Sequence, residues 1–259
     1  MKRLYVLIAI MIFPGMLSAQ HATFISSGRI VFERKVNTFA AMEILMKEIR
    51  SGSADETSSY LQTYRSNSPQ FWTSNFEMYF DAAHTLYQPE DPNMEQSKTF
   101  EIPVTYKNKV FNNLESKEIN TVKDAFENTY FIKDSIRNIH WKLTDETREI
   151  AGYQCRRANA LLFDSIYIVA YYADEILSKG GPESFSGLPG MILGLAIPRE
   201  HVTYFAKSVS IQDNLSEKWK LPEPGKSKKL NSKEFSAEVV RILKQFGFTS
   251  SWIQVFMNI

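Results

Sequence analysis

From Val110 to Ile211 the chain carries short strand signals at close intervals, and this limits the possible folds more than any other feature. The signals fall at Val110–Leu114, Glu118–Val122, Tyr130–Lys133, Trp141–Leu143, Tyr153–Leu162, Ile166–Ala173, Met191–Ile197 and Thr203–Ile211, with turn residues between them. Strands joined this tightly pair antiparallel, because a parallel connection needs a crossover of a dozen or more residues. Ile166–Ala173 is apolar on nearly every residue, which predicts a central strand covered on both faces.

The first hundred residues extend the pattern. In Gly28–Val36, Ile30, Phe32 and Val36 share one face of a strand, and Arg34 interrupts it. Phe76, Met78 and Phe80 alternate with polar neighbours, and Leu86-Tyr87 continues the pairing before a Pro-containing loop over 88–97. Phe100, Ile102, Val104 and Tyr106 give the cleanest period-2 run, with Pro103 pointing to an edge or a bulge. Two stretches read as helical instead. Phe39, Met42, Leu45, Met46 and Ile49 predict a helix over 39–50. Asn231 stands three residues before Glu234, as in a capping box, and Phe235, Val239, Ile242 and Phe246 then trace one face of a helix over 232–246. Residues 51–69, rich in Ser, Thr and Asn, read as a surface loop with some helical content. The expected fold is mainly β (α+β): a curved antiparallel sheet with one or two packed helices, a half-barrel by analogy with periplasmic lipoprotein carriers.

The N-terminus carries an address. Lys2 and Arg3 precede an uncharged run from Leu4 to Phe13, and Leu17-Ser18-Ala19 supplies a small-residue exit. That order describes a secretory signal peptide over residues 1–19, which leaves 20–259 as a single mature domain. The apolar run is shorter than the roughly 20 residues that span a bilayer, and no later run reaches that length. Residues 1–19 hold two bases and no acid, so 28 of the 30 bases remain against 29 acids. This balance argues against a nucleic-acid partner, which calls for a basic surface. The local exception, Lys218, Lys220, Lys226, Lys228, Lys229 and Lys233, reads as a solvated loop. Cys155 is the single cysteine and lies in a strand-like run, which excludes an internal disulfide or a thiolate metal cluster and casts it as a small buried hydrophobe.

One segment is more specific. Residues 180–195 read GGPESFSGLPGMILGL. Pro189-Gly190 suits the two central positions of a type II turn, with positive φ at Gly190, and Met191 then leads into a strand. No Lys and Ser/Thr follow the last glycine, so the loop is no phosphate cradle. Two readings stay open for Pro182, Phe185, Gly187, Leu188, Pro189, Gly190 and Met191. They form a packed turn with Phe185 and Leu188 in the core, or an apolar lip that meets a ligand or a partner.

Gly187-Leu188-Pro189-Gly190-Met191-Ile192 resembles the signature of the GLPGLI family, with Met191 in place of the second leucine, a volume-conserving exchange. Upstream, Trp141-Lys142-Leu143, the run Ile150-Ala151-Gly152-Tyr153-Gln154-Cys155-Arg156-Arg157-Ala158, and Tyr171-Tyr172-Ala173-Asp174-Glu175-Ile176 are similar to further elements of that family, as is Gly28-Arg29-Ile30-Val31-Phe32-Glu33. The resemblance covers roughly residues 28–211. It implies export and a β-rich fold, and it carries no catalytic residue.

Nothing else names a reaction. His21, His84, His140 and His201 pair neither with one another nor with Cys155 at a metal-ligand spacing, so no metal and no cofactor is expected. No Gly-x-Ser-x-Gly elbow or His-Glu-x-x-His run is present. Asp174-Glu175, read as adjacent strand residues, would point to opposite faces, and Asp145, Glu146 and Glu149 read as a turn between strands. The expectation is an exported, non-catalytic envelope protein, periplasmic or secreted, that holds an apolar ligand in a β-sheet cavity. The alternative is an interaction module whose partner is an outer-membrane or envelope protein. An unrecognised hydrolase is the third reading.

Overall fold

The computed structural model describes residues 24–49, 54–92, 107–219, 225, 227–245, 253, 254 and 257. The signal segment 1–19 and the alternating run 100–106 lie outside them.

The first strand, β1 (Gly28–Asn37), buries every even residue from Gly28 to Val36. This is the period of a pleated strand with one face on the core. Helices α1 (Thr38–Ile49) and α2 (Ala54–Asn67) follow. Two antiparallel runs of strands are then built on either side of β1. The first holds β2 (Phe71–Phe80), β3 (His84–Pro89), β4 (Asn108–Asn113), β5 (Glu118–Ala125) and β6 (Asn128–Ser135). The second holds β7 (Lys142–Ile150), β8 (Tyr153–Leu162), β9 (Ile166–Ala173), β10 (Met191–Ile197) and β11 (Val202–Ile211). A last short strand, β12 (Lys228–Leu230), precedes α3 (Ser232–Gln245).

All twelve strands join in one curved sheet that does not close into a barrel, in the order β12-β6-β5-β4-β3-β2-β1-β11-β10-β9-β8-β7. Neighbours are antiparallel except β12, which runs parallel to β6. β1 is the seam, paired with β2 through Phe32↔Phe76 and with β11 through Arg34↔Tyr204. β9 is an interior strand, though Tyr167 leaves its outer face partly exposed.

The core falls into two clusters of buried side chains. Ile30, Phe32, Phe76, Met78 and Tyr87 form one part of it, with Phe76 and Tyr87 stacked at 4.8 Å. Val36, Ile168, Tyr172, Leu195 and Tyr204 belong to the other, which α1 and α3 cover with Met42, Leu45, Phe235, Val239 and Leu243. α3 opens on the expected capping box: Glu234 N donates to Asn231 Oδ1 and Asn231 N donates to Glu234 Oε2, both at 2.9 Å.

Three expectations are corrected. Residues 54–67 are a regular helix. Asp55 and Glu56 sit in its first turn, where they complement the helix dipole. Thr63, Ser66 and Asn67 do not compete with the helix, because their side chains donate to the carbonyls of Ser59, Gln62 and Thr63 one turn back. Tyr64 anchors the helix against Phe39, ring centroids 6.2 Å apart. Asp145, Glu146 and Glu149 stand within edge strand β7, where the register shifts between Leu143 and Thr147, so these charges guard an open edge. The lysine cluster is not simply a solvated loop. Lys228 and Lys229 belong to β12, and the Lys218 ammonium lies 4.4 Å from the Tyr79 ring centroid. Lys220 and Lys226 lie outside the described residues.

Candidate functional site

Between β9 and β10 the chain does not make a hairpin. Residues 174–190 form a strap that crosses the core face of the sheet, with Gly181-Pro182 and Pro189-Gly190 breaking its path. Its start is tied to the segment before β1, where Ile25 N donates to the Glu175 carbonyl and Leu177 N to the Ile25 carbonyl, both at 2.9 Å. Gly180 packs against Thr85 of β3 so closely that a Cβ would overlap its methyl group. Gly187 N donates to the Lys179 carbonyl, Ile192 N to the Gly180 carbonyl, and Trp141 Nε1 to the Ser186 carbonyl, each at 2.9 Å.

The motif residues divide accordingly. Pro182, Phe185, Leu188, Gly190 and Met191 are buried, Leu188 to 1% exposure, while Gly187 and Pro189 are exposed at the tip. The expected type II turn is not formed. Positive φ falls at Gly187 (+94°) and not at Gly190. Gly190 is required for a different reason: a Cβ there would overlap the Ala173 carbonyl at the end of β9. Asp174 and Glu175 lie in the turn beyond β9, not on the strand.

The polar chemistry comes from residues between and opposite the motif positions. Glu183, in the left-handed region at φ +54° and 3% exposed, projects from the strap into the sheet. Its Oε2 accepts from Asn108 Nδ2 of β4 at 2.9 Å, and its Oε1 lies 4.0 Å from Arg34 Nη1 of β1. Arg34, 1% exposed, donates from Nε to Ser74 Oγ of β2 at 3.2 Å and lies 4.5 Å from the Phe76 ring centroid. One carboxylate thus bonds to β4 and lies against β1. Burial raises the Glu183 carboxyl above its ordinary range, opposed by Arg34, Asn108 and Lys123. Burial likewise pushes up the Tyr87 and Tyr204 hydroxyls, with the Glu183 charge adding to the effect.

Beside this cluster lies a cavity of about 890 Å³. Its walls are the β4–β6 part of the sheet, through Val110, Ile119, Thr121, Lys123 and Ile132, and the underside of α3, through Phe235 and Val240, with Met257 beyond. Glu183 and Ser184 are the strap's contribution, and none of the seven motif residues lines it. Lys123 is 7% exposed and donates from Nζ to the Met257 carbonyl at 2.8 Å. Burial lowers its pKa from 10.5 to about 8; Glu183 opposes that shift and Arg137 adds to it. At the rim, burial of Asp134 is outweighed by the backbone N–H groups of Ser232 and Ser135, at 2.9 and 2.7 Å, which hold its carboxyl below the ordinary range.

Other candidate groups lie elsewhere. Cys155 is fully buried, its thiol pushed up to about 12 by burial and then by the Glu175 charge. His84 is bonded to Asp81 and stacked on Phe111, and His201 occupies a left-handed turn after β10. His21 lies outside the described residues. Among the described residues no group of three or more His, Cys, Asp or Glu is placed to hold a metal ion, and no helix is long and apolar enough to cross a membrane.

No family model matches the chain, and no curated protein matches it. Solved structures of PNGF-II are similar in fold. In the P21 crystal form the TM-score is 0.53, at 13% identity over 83% of this chain. In the C2 form it is 0.49, at 14% identity over 80%. The chain spans about a third of the length of that protein, 33% and 31% in the two forms.

Proposed function

We propose that the chain is an exported, non-catalytic envelope protein that holds an apolar ligand in the cavity beneath α3. The observation that carries this reading is the cavity itself. About 890 Å³ walled by Val110, Ile119, Ile132, Phe235, Val240 and Met257 falls within the roughly 300–1,000 Å³ of small-molecule sites, which are mostly apolar with a few polar groups. The non-catalytic part is supported by how the polar groups are engaged. Asp134 accepts backbone N–H bonds, Glu183 is shared by Asn108 and Arg34, and the Cys155 thiol is scarcely ionised at neutral pH. Export rests on the segment Met1–Ala19 and on the GLPGLI resemblance of residues 187–192.

The test is native mass spectrometry, with lipid extraction, of protein purified from its own host envelope. The expected result is a copurifying small molecule in the parent and its loss in Val240→Trp, where the indole fills the cavity. A parent that carries no adduct and takes up no apolar probe would defeat the proposal. N-terminal sequencing of the same preparation should begin at or near Gln20; an intact Met1 would defeat the export part.

A second reading, a module that docks an envelope partner, has one specific observation behind it. Leu161 and Tyr167 are register partners on β8 and β9, and with Phe163 in the intervening turn they stand 61, 42 and 51% exposed. Charge substitutions at Leu161 and Tyr167 that release a copurifying protein without touching the small molecule would favour it.

A further inference from the structure

We infer that the ligand of this cavity is a single-chain amphiphile with an anionic head, and that Lys123 is the residue that binds that head. The inference rests on the ligand-binding reading above and adds the chemical class of the ligand.

Lys123 shares its strand face with Ile119 and Thr121, and all three line the cavity. The pleat therefore aims the ammonium into the same space as the apolar walls. Lys123 is only 7% exposed, and a buried ammonium needs an ion partner or a full set of hydrogen bonds. Among the described residues Lys123 has no carboxylate within 4.0 Å, and its bond to the Met257 carbonyl uses one of three N–H donors.

The nearby acids make their closest contacts elsewhere, although the Glu183 charge still favours the charged form of Lys123. Asp134 caps the start of α3 through Ser232 N, and Glu183 is held by Asn108 and lies against Arg34. The Arg137 guanidinium lines the same cavity and adds positive potential. A cavity with apolar walls, lined by Lys123, Arg137 and Lys233 against Asp134 and Glu183, is matched by an alkyl chain ending in a carboxylate or a phosphate. Among the described residues two N–H donors of Lys123 remain to form charge-assisted bonds with such a head.

Displacement of the uncharged probe N-phenyl-1-naphthylamine separates head recognition from cavity binding. Dodecanoate, dodecyl phosphate, dodecanol and acetate are titrated at neutral pH into the delipidated full chain and into Lys123→Met. In the parent, the two anionic amphiphiles should displace the probe at about tenfold lower concentration than dodecanol, since a bond to a charged group is worth at least that factor. Acetate, a head without a chain, should not displace it. Lys123→Met should still bind the probe and dodecanol but lose the preference for the anions. Lys123→Gln carries the test if Lys123→Met does not fold. Equal displacement by dodecanol and dodecanoate in the parent, with probe binding intact, would overturn the inference and leave the cavity reading standing. The same holds for a preference that survives both substitutions. Absence of probe binding in the parent would overturn both.

Discussion

Lys123→Met should stabilise the ligand-free protein, and the gain should shrink as pH rises. The folded lysine titrates at about 8 instead of 10.5, so burial disfavours its charged form by about 3 kcal/mol at 1.36 kcal/mol per unit. Methionine keeps the length of the side chain and removes that penalty. It also gives up the bond to the Met257 carbonyl, worth about 1 kcal/mol. The net expectation near neutral pH is a gain of about 2 kcal/mol. Between about 8 and 10.5 the unfolded lysine holds a proton that the folded one has released, so the parent gains stability with rising pH across that window. Below it both forms are charged and the penalty is complete. Among the described residues the charges that act on the ammonium are Glu183 of the strap and Arg137 beyond β6, and Tyr130 is its register partner on β6. They are common to both proteins and largely cancel in the difference. Urea unfolding of the delipidated pair at about pH 7 and about pH 9.5 should show the gap narrowing by about 2 kcal/mol. A variant less stable than the parent at neutral pH, or a gap that stays constant, would refute the reasoning.

Leu188→Ala should cost about 2–5 kcal/mol, because the side chain is 1% exposed within the larger core cluster; a melt that overlays the parent would show it to be dispensable. Gly190→Ala and Gly190→Asn should be similarly damaging, since any Cβ meets the Ala173 carbonyl, whereas Gly187→Asn should be milder than Gly187→Val, since only backbone φ is at stake; urea midpoints of the four variants decide this. Cys155 should resist alkylation by iodoacetamide at neutral pH in the folded state and react readily in urea, with intact mass as the readout; rapid labelling of the native protein would contradict the raised thiol.

The strands were legible because their signals are local. Each alternation or apolar run needs only its own residues, and Ile166–Ala173 and Tyr153–Leu162 appear with the expected bounds. Helix α2 was obscured because Ser and Thr are ambiguous: they favour turns unless their side chains bond one turn back, as Thr63 and Ser66 do. The role of Gly190 was misassigned because sequence shows that a glycine is needed but not whether φ or a close neighbour demands it. The cavity was the least legible part. Arg34 did leave a mark as the charge that breaks the apolar face of β1, and Lys123 sits in phase with Ile119 and Thr121 on β5 in the same way. Their relation to Glu183, well over a hundred and about sixty residues away in the chain, is created only by the path of the strap.

The position of β1 as the seam bears on how the chain reaches this structure. β2 to β6 and β7 to β11 are each built mostly from successive hairpins, whose partners lie close in sequence and form quickly. β1 is different: Gly28–Val36 must pair with Val202–Ile211, the far end of the second meander. Loop closure over that span is the slowest pairing that the topology requires, so each meander can exist before the two are joined. Until then, the edge of β11 that receives β1 is unpaired and open to other strands. Pulse-labelled hydrogen exchange should find the β1 amides protected after those of the β4–β5 and β8–β9 hairpins. Simultaneous protection would mean that the sheet forms in a single step.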